Sequence, residues 1–259
     1  MYSYKNIKIH YTDEGSGLAV VFLHGFLENQ TMWNVFATQL STNYRVITID
    51  LLGHGLSENL GYIHTMEEQA AMVSALLEFL KCEKAVLVGH SMGGYVALSF
   101  AKAFPDFVLG MVLQNSTAKP DSEERQLNRD RAIKAVKQNH RNFISMSIAN
   151  LFSENNQIKL VDTIQLVKNE AYKTPLQGII AALEGMKVRS DLTVILKEAT
   201  FPIVLVLGKK DAVLDFETNK QHIEDTNVKL VAFEEGHMSH IENEAALLVV
   251  LQDFLGKLN

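Results

Sequence analysis

The sequence predicts an α/β fold: a mostly parallel β-sheet flanked by helices on both faces, with a helical cap inserted in its second half. Three observations carry the prediction. Short apolar runs rich in β-branched residues recur along the chain ("LAVVFLHG", "RVITID", "KAVLVG", "VLGMVLQN", "IVLVLG" and "VKLVAF"), each of strand length and bounded by turn residues. Helical segments lie between them, and strands that alternate with helices build a parallel sheet covered on both sides. From about Lys119 to Lys187 the alternation stops: no run reads as a strand, and several stretches read as helices.

The elements follow in order. The first fifteen residues, "MYSYKNIKIHYTDEG", alternate polar and apolar residues and predict an antiparallel hairpin at the sheet edge. They lack the continuous apolar run of a signal peptide. Helices are expected over "NQTMWNVFATQLS", "TMEEQAAMVSALLEFLKC", Met92 to Phe104, "DFETNKQHIED" and the terminal "ENEAALLVVLQDFLGKL". The core domain is therefore expected over residues 1–118 and 188–259, and the cap over 119–187, opening on the charged stretch "DSEERQLNRDRAIKAVKQNHRNFIS". In open α/β sheets ligands sit beyond the carboxyl ends of the strands, so a helical insertion there shapes a pocket and excludes water.

Composition excludes several function classes. A formal charge of −6 and no basic run argue against nucleic acid and anionic membrane surfaces as partners. The longest apolar run, "AALLVVL", is too short to cross a bilayer. Cys82 is the single cysteine, so no internal disulfide and no multi-cysteine metal site is possible. No H-E-x-x-H motif points to a metal, "GHSMGG" lacks the lysine of a phosphate-binding loop, and no G-x-G-x-x-G follows the first parallel strand. The expectation is a cytoplasmic soluble protein with no metal, no cofactor and a small-molecule substrate.

Within "VLVGHSMGGYVALSF", Ser91 stands between a strand and a helix with Gly89 and Gly93 two residues to either side. A strand that turns directly into a helix strains the residue at the apex and crowds these two positions, which glycine relieves. The turn lifts the serine hydroxyl free of the backbone. An ordinary helix N-cap would also put a serine here, but it leaves the paired glycines unexplained.

A serine nucleophile needs a base, and the base needs a carboxylate to fix its tautomer. After "IVLVLG", the loop "KKDAVLDFETN" offers Asp211 and Asp215; Asp215 suits the N-cap of the next helix, leaving Asp211 as the orienting acid. After the last strand, "EEGHMSHIENEAALL" offers His237 in a Gly–His turn and His240 at the border of a helix, and the turn favours His237. An oxyanion needs two backbone donors. Met92, directly after the serine, supplies one N–H, and Phe26, in the loop "FLHGFLENQTMW", the other. His24, His54 and His90 are expected to brace loops, and Ser57 to brace "DLLGHGLSE". Arg125, Arg129, Arg131 and Arg189 are of a type that binds a substrate carboxylate, although a charged helix favours solvation or pairing with nearby acids. Arg189 is expected to pair with Asp191.

"HGF" with Trp33 downstream, "DLLGHGLS", "GHSMGG", "LEGMKVRSD", "GKKD" and the late "GH" together resemble the α/β-hydrolase superfamily over nearly the whole chain. The resemblance implies a serine hydrolase without metal or organic cofactor, in which Ser91 attacks a carbonyl, His237 takes and returns the proton, and water releases the acyl group. Ser91 separates the chain from the haloalkane dehalogenase and epoxide hydrolase branches, whose nucleophile is a carboxylate, and Phe26 stands where cofactor-free haloperoxidases usually carry Trp. "HGFLENQTMW" is similar to the menaquinone-pathway synthase that eliminates pyruvate, but that branch usually has Tyr and Arg where this chain has His90 and Tyr95. The implied activity is a carboxylesterase acting on small or medium acyl esters, with carbon–carbon hydrolase, enol-lactonase and non-catalytic receptor as alternatives.

Overall fold

The computed structural model describes residues 1–258. The chain opens with β1 (Tyr2–Tyr4) and β2 (Ile7–Ile9), joined by the two-residue turn Lys5-Asn6 with φ of 45° and 68°. Positive φ at both central residues gives a turn whose twist matches that of the strands. This hairpin forms a sheet of its own, apart from the main one. Tyr4 and Ile9 are buried in the core, and the Tyr4 hydroxyl donates to Glu68 at 2.8 Å, so the hairpin is held by the helix carrying Glu68. The expected edge position belongs instead to β3 (Tyr11–Glu14).

The main sheet continues with β4 (Ala19–Leu23), α1 (Asn34–Leu40), β5 (Arg45–Ile49), α2 (Met66–Phe79), β6 (Ala85–His90), α3 (Met92–Ala103) and β7 (Val108–Gln114). The helical stretch that follows holds α4 (Glu123–Gln138), α5 (His140–Ala149), α6 (Glu154–Lys159), α7 (Val161–Ala171) and α8 (Leu176–Lys187). After it come α9 (Thr193–Glu198), β8 (Ile203–Gly208), α10 (Phe216–Gln221), β9 (Lys229–Phe233), α11 (Ser239–Glu242) and α12 (Glu244–Leu255). The seven strands lie in the order β3-β5-β4-β6-β7-β8-β9, with only β3 antiparallel to its neighbour.

The predicted strands are apolar throughout because both faces of the sheet are covered. Along β4 and β6, Val21, Leu23 and Leu87 join one core cluster with residues of α2 and α3. Val20, Phe22, Val86 and Val88 point the other way, into a second cluster with α1 and α12. The period of two sends alternate residues to opposite faces, and each finds a helix there.

The excursion between β7 and β8 is all helix, and it is fastened to the core through α8. Gly178 and Gly185 are seven residues apart, which puts them on one face of the helix. A Cβ at Gly178 would collide with the Gly53 carbonyl oxygen, and one at Gly185 with that of His64. The His64 N–H donates to the Ala181 carbonyl at 2.9 Å, closing the same seam. Among the described residues no helix is long and apolar enough to cross a membrane.

Candidate active site

Ser91 adopts φ 50° and ψ −112°, a strained conformation for a residue with a side chain. Its neighbours explain both glycines. A Cβ at Gly89 would stand 2.5 Å from the Gly93 carbonyl oxygen, and one at Gly93 would collide with the carbonyl oxygen of Leu23 on β4. The Ser91 hydroxyl makes no capping hydrogen bond to α3, which decides between an N-cap and a freely presented side chain. The backbone is pinned instead: the Ser91 N–H donates to the Gln114 carbonyl at 2.9 Å, and the Ser91 carbonyl accepts from the Ser116 hydroxyl at 2.8 Å.

Ser91 opens into a cavity of about 400 Å³ that Phe26 and His237 also line. The Asp211 carboxylate lies 2.7 Å from His237 Nδ1. A carboxylate only accepts, so Nδ1 carries a proton, and in the neutral ring this tautomer puts the lone pair on Nε2. Asp211 is itself held by the Val213 and Leu214 N–H groups, at 2.8 and 3.0 Å, and by the Asn115 amide at 3.1 Å. Burial alone would raise its pKa, but the charge and hydrogen bond of His237 outweigh that and hold the carboxyl below the usual range. Asp215 caps α10, accepting from the Thr218 N–H at 2.8 Å, as its position predicts. His240 is buried in α11 and is not among the residues lining the cavity.

The N–H of Phe26 and that of Met92 have no hydrogen-bond partner among the described residues, although Met92 is fully buried. Leu27, with φ 64°, sets the turn that follows Phe26. The expected loop braces are present. His24 donates from Nδ1 to the Gly25 carbonyl at 2.7 Å and accepts the Leu51 N–H at 2.9 Å. His54 Nδ1 lies 3.0 Å from the Leu52 carbonyl, and the Ser57 hydroxyl donates to the Asp50 carbonyl at 2.7 Å.

Two residues of the site escape sequence reasoning. Glu28, buried, accepts from the Gly25 N–H and from His90 Nδ1, both at 2.7 Å, and His90 Nε2 donates to the His237 carbonyl at 3.0 Å. Both partners of His90 are acceptors, so both ring nitrogens carry protons. Burial would lower the His90 pKa, but the Glu28 carboxylate raises it; burial would likewise raise Glu28, and His90 brings it down to about 2. This ion pair links the loop of Phe26, the residue before Ser91 and the backbone of His237. Asn115, at φ 44° just past β7, joins Asp211 to the Gly236 carbonyl and accepts from the Ser239 hydroxyl at 2.6 Å. An amide directly after a strand that ends beside Ser91 was its only signal in the sequence.

Ligand atoms of Glu28, His90 and His240 fall within 4.8 Å of one another, the one such grouping among the described residues. With both His90 nitrogens engaged as donors, the group fits a buried ion pair better than a cation. Arg189 pairs with Asp121 at 2.6 Å and not with Asp191, which accepts from the Thr193 N–H and hydroxyl. The Asp121 carboxylate is fully buried and satisfies Arg189, whereas Asp191 is already used in its own turn.

The buried histidines fix an acid limit. Burial pushes His54 and His240 down to about 3 and His64 down to about 4, from an ordinary 6.5. Below about 6.5 these rings take up protons in the unfolded chain but stay neutral when folded, so stability falls with pH across that window. Each contributes up to about 1.4 kcal/mol per pH unit. Glu28 and Asp211, with lowered pKa values, weaken the fold only at lower pH, below the ordinary carboxylate range. His90, raised, is charged in both states below about 6.5 and does not mask the effect. The thermal midpoint is therefore expected to drop between about pH 7 and about pH 5; a flat midpoint over that range would contradict the neutral buried rings.

A mostly parallel sheet with these groups gathered beyond its carboxyl ends is the architecture of the α/β hydrolases. The family model described as the alpha/beta hydrolase fold matches residues 19–244, and the chain belongs to that family. Among solved structures, a thermophilic esterase from Thermogutta terrifontis, malate bound, is 31% identical with a TM-score of 0.89, over 97% of this chain and 94% of that one. A putative 2-succinyl-6-hydroxy-2,4-cyclohexadiene-1-carboxylate synthase of Bacillus subtilis is 28% identical, over 94% of this chain and 93% of that protein. The 3-oxoadipate enol-lactonase 1 of Acinetobacter baylyi is 25% identical, over 97% and 93%. The match to uncharacterized mycobacterial proteins, by contrast, spans 29% of their length.

Proposed function

We propose that the protein is a serine hydrolase that cleaves carboxylic esters of small or medium acyl chains through an acyl-enzyme intermediate. One observation carries this reading: an uncapped serine at a strained strand–helix turn shares a cavity with a histidine whose other ring nitrogen is held by a buried carboxylate. Ser91 Oγ attacks the ester carbonyl while His237 Nε2 takes its proton. The Phe26 and Met92 N–H groups receive the oxyanion, and their lack of any other partner supports that role. His237 then protonates the leaving alcohol, and water, deprotonated by the same ring, releases the acid. Asp211 orients the ring and stabilises its charge.

The helices of residues 119–187 act as the cap over this chemistry. Phe143, Leu151, Leu183 and Met186 from that stretch line the same cavity as Ser91, which supports a role in excluding water from the acyl-enzyme. A cavity of about 400 Å³ suits a small substrate. We place the protein in the cytoplasm, for which a single buried thiol is suitable. The enol-lactonase reading stays as the second, since the same groups open a lactone by the same attack and a relative carries that name.

Asp211→Asn is expected to lower kcat by about 10⁴, since the amide disfavours the ring tautomer the base needs. Asp215→Asn, at the exposed cap of α10, should stay within a few-fold of the parent. Equal losses would leave the orienting acid unassigned. A chain-length series of p-nitrophenyl acetate, butyrate and octanoate tests the substrate class: turnover falling at the longest chain supports the esterase, and no turnover on any of them moves the substrate to lactones or carbon–carbon bonds.

A further inference from the structure

We propose that the cavity takes substrates bearing a free carboxylate, such as half-esters of dicarboxylic acids, and that Arg129, with Arg125 beside it, binds that carboxylate. The inference rests on the hydrolase reading above and names its substrate class.

The charge count is the first ground. The Asp121 carboxylate, fully buried, meets three guanidiniums: Arg189 at 2.6 Å, Arg129 at 3.0 Å and Arg125 at 3.3 Å. One anion against three cations leaves an excess of two positive charges in a chain whose formal charge is −6. Balancing Asp121 would need one arginine. Burial would raise the Asp121 pKa, but Arg129 and Arg189 hold it down, so the carboxylate stays ionised and the three arginines stay gathered.

The second ground is which donors are already used. Arg189 also gives hydrogen bonds to the Lys119 and Met186 carbonyls and lies over the Tyr95 ring at 4.2 Å, so it is a structural member of the group. Arg125 gives one terminal nitrogen to the Val213 carbonyl at 3.0 Å. Arg129 engages only Nε, and its two terminal nitrogens have no partner among the described residues. Anchored at Nε, a guanidinium presents the remaining nitrogens as a planar fork that matches a carboxylate.

The third ground is the wall itself. Arg125 and Arg129 line the cavity that Ser91 and His237 line, together with the amides of Asn128 and Asn150. No Asp or Glu lines it among the described residues. The side chain of Arg129 is 18% exposed, so its charge is only partly screened by solvent. A substrate with a carbonyl at Ser91 and a carboxylate at Arg129 would engage two groups of the same cavity wall, and one without the carboxylate would leave the fork unpaired.

The test compares mono(4-nitrophenyl) glutarate with 4-nitrophenyl butyrate, which share a leaving group and differ chiefly in the terminal carboxylate. The wild type is expected to favour the half-ester by about tenfold or more in kcat/KM, mainly through KM, and the preference should shrink as salt is raised. Arg129→Gln should lower the ratio of the two kcat/KM values by about tenfold, and Arg129→Lys should restore part of it. A wild-type ratio at or below one, with both hydrolyses abolished by Ser91→Ala, would overturn the carboxylate subsite while the esterase stands. Rates unaffected by Ser91→Ala would overturn the esterase reading instead. Calorimetric binding of glutarate to the wild type then decides the subsite independently of turnover and of how the variants fold: binding weakened by salt supports it, and no binding overturns it.

Discussion

Replacing Ser91 by alanine is expected to remove ester turnover by on the order of 10⁶ while leaving the fold intact. The size of the loss follows from the way the groups act together. On the proposed mechanism there is no acyl-enzyme without Oγ, and His237 and Asp211 would have nothing to activate; what would remain is the contribution of the proposed oxyanion donors and of binding. The fold should survive because the hydroxyl makes no capping bond, whereas the backbone bonds to Gln114 and Ser116 do not depend on it. Alanine keeps the Cβ and therefore the strain at φ 50°, so any gain or loss in stability should be small. Steady-state kinetics with a thermal melt measures both, and residual activity near that of the parent would refute the nucleophile.

His237→Ala should cost nearly as much as the loss of the serine, since on the proposed mechanism the ring both takes the proton and returns it. His240→Ala, three residues on, should change turnover by less than about tenfold. The contrast comes from position. His237 lines the cavity with its Nδ1 held at 2.7 Å by Asp211, while His240 does not line it and lies 3.7 Å from Glu28, packed near Trp33. Removing the buried His240 ring leaves a void, so the expected effect is on stability, about 1–3 kcal/mol, and not on chemistry. Reversed kinetic effects would exchange the two roles.

Much of this was legible in the sequence because the signals are local. The apolar runs became strands, and the Gly-x-Ser-x-Gly spacing foretold the turn at Ser91, because both depend on neighbours a few residues away. The cap at Asp215 and the pairing of Asp211 with His237 follow from equally local features, a helix N-terminus and a Gly–His turn at a strand end. The N-terminal alternation predicts an antiparallel hairpin, which forms, but its place away from the edge of the main sheet is not written there, because what holds it is the pairing of Tyr4 with Glu68, sixty-four residues away. Glu28 reads as one more polar residue ahead of a helix; its function as partner to His90 appears only when β4 and β6 lie side by side. Proximity in sequence points Arg189 to Asp191, whereas the fold pairs it with the buried Asp121, sixty-eight residues before it. Contacts at that separation are set by topology, and a single sequence leaves them unwritten.

The most direct test of the nucleophile assignment is labelling with a fluorophosphonate, read by intact mass and by peptide mapping. One adduct per chain, carried by Ser91, absent in Ser91→Ala and formed far more slowly in His237→Ala, is the predicted result. An adduct on another residue, or ester hydrolysis that proceeds with Ser91 unlabelled, would contradict the account.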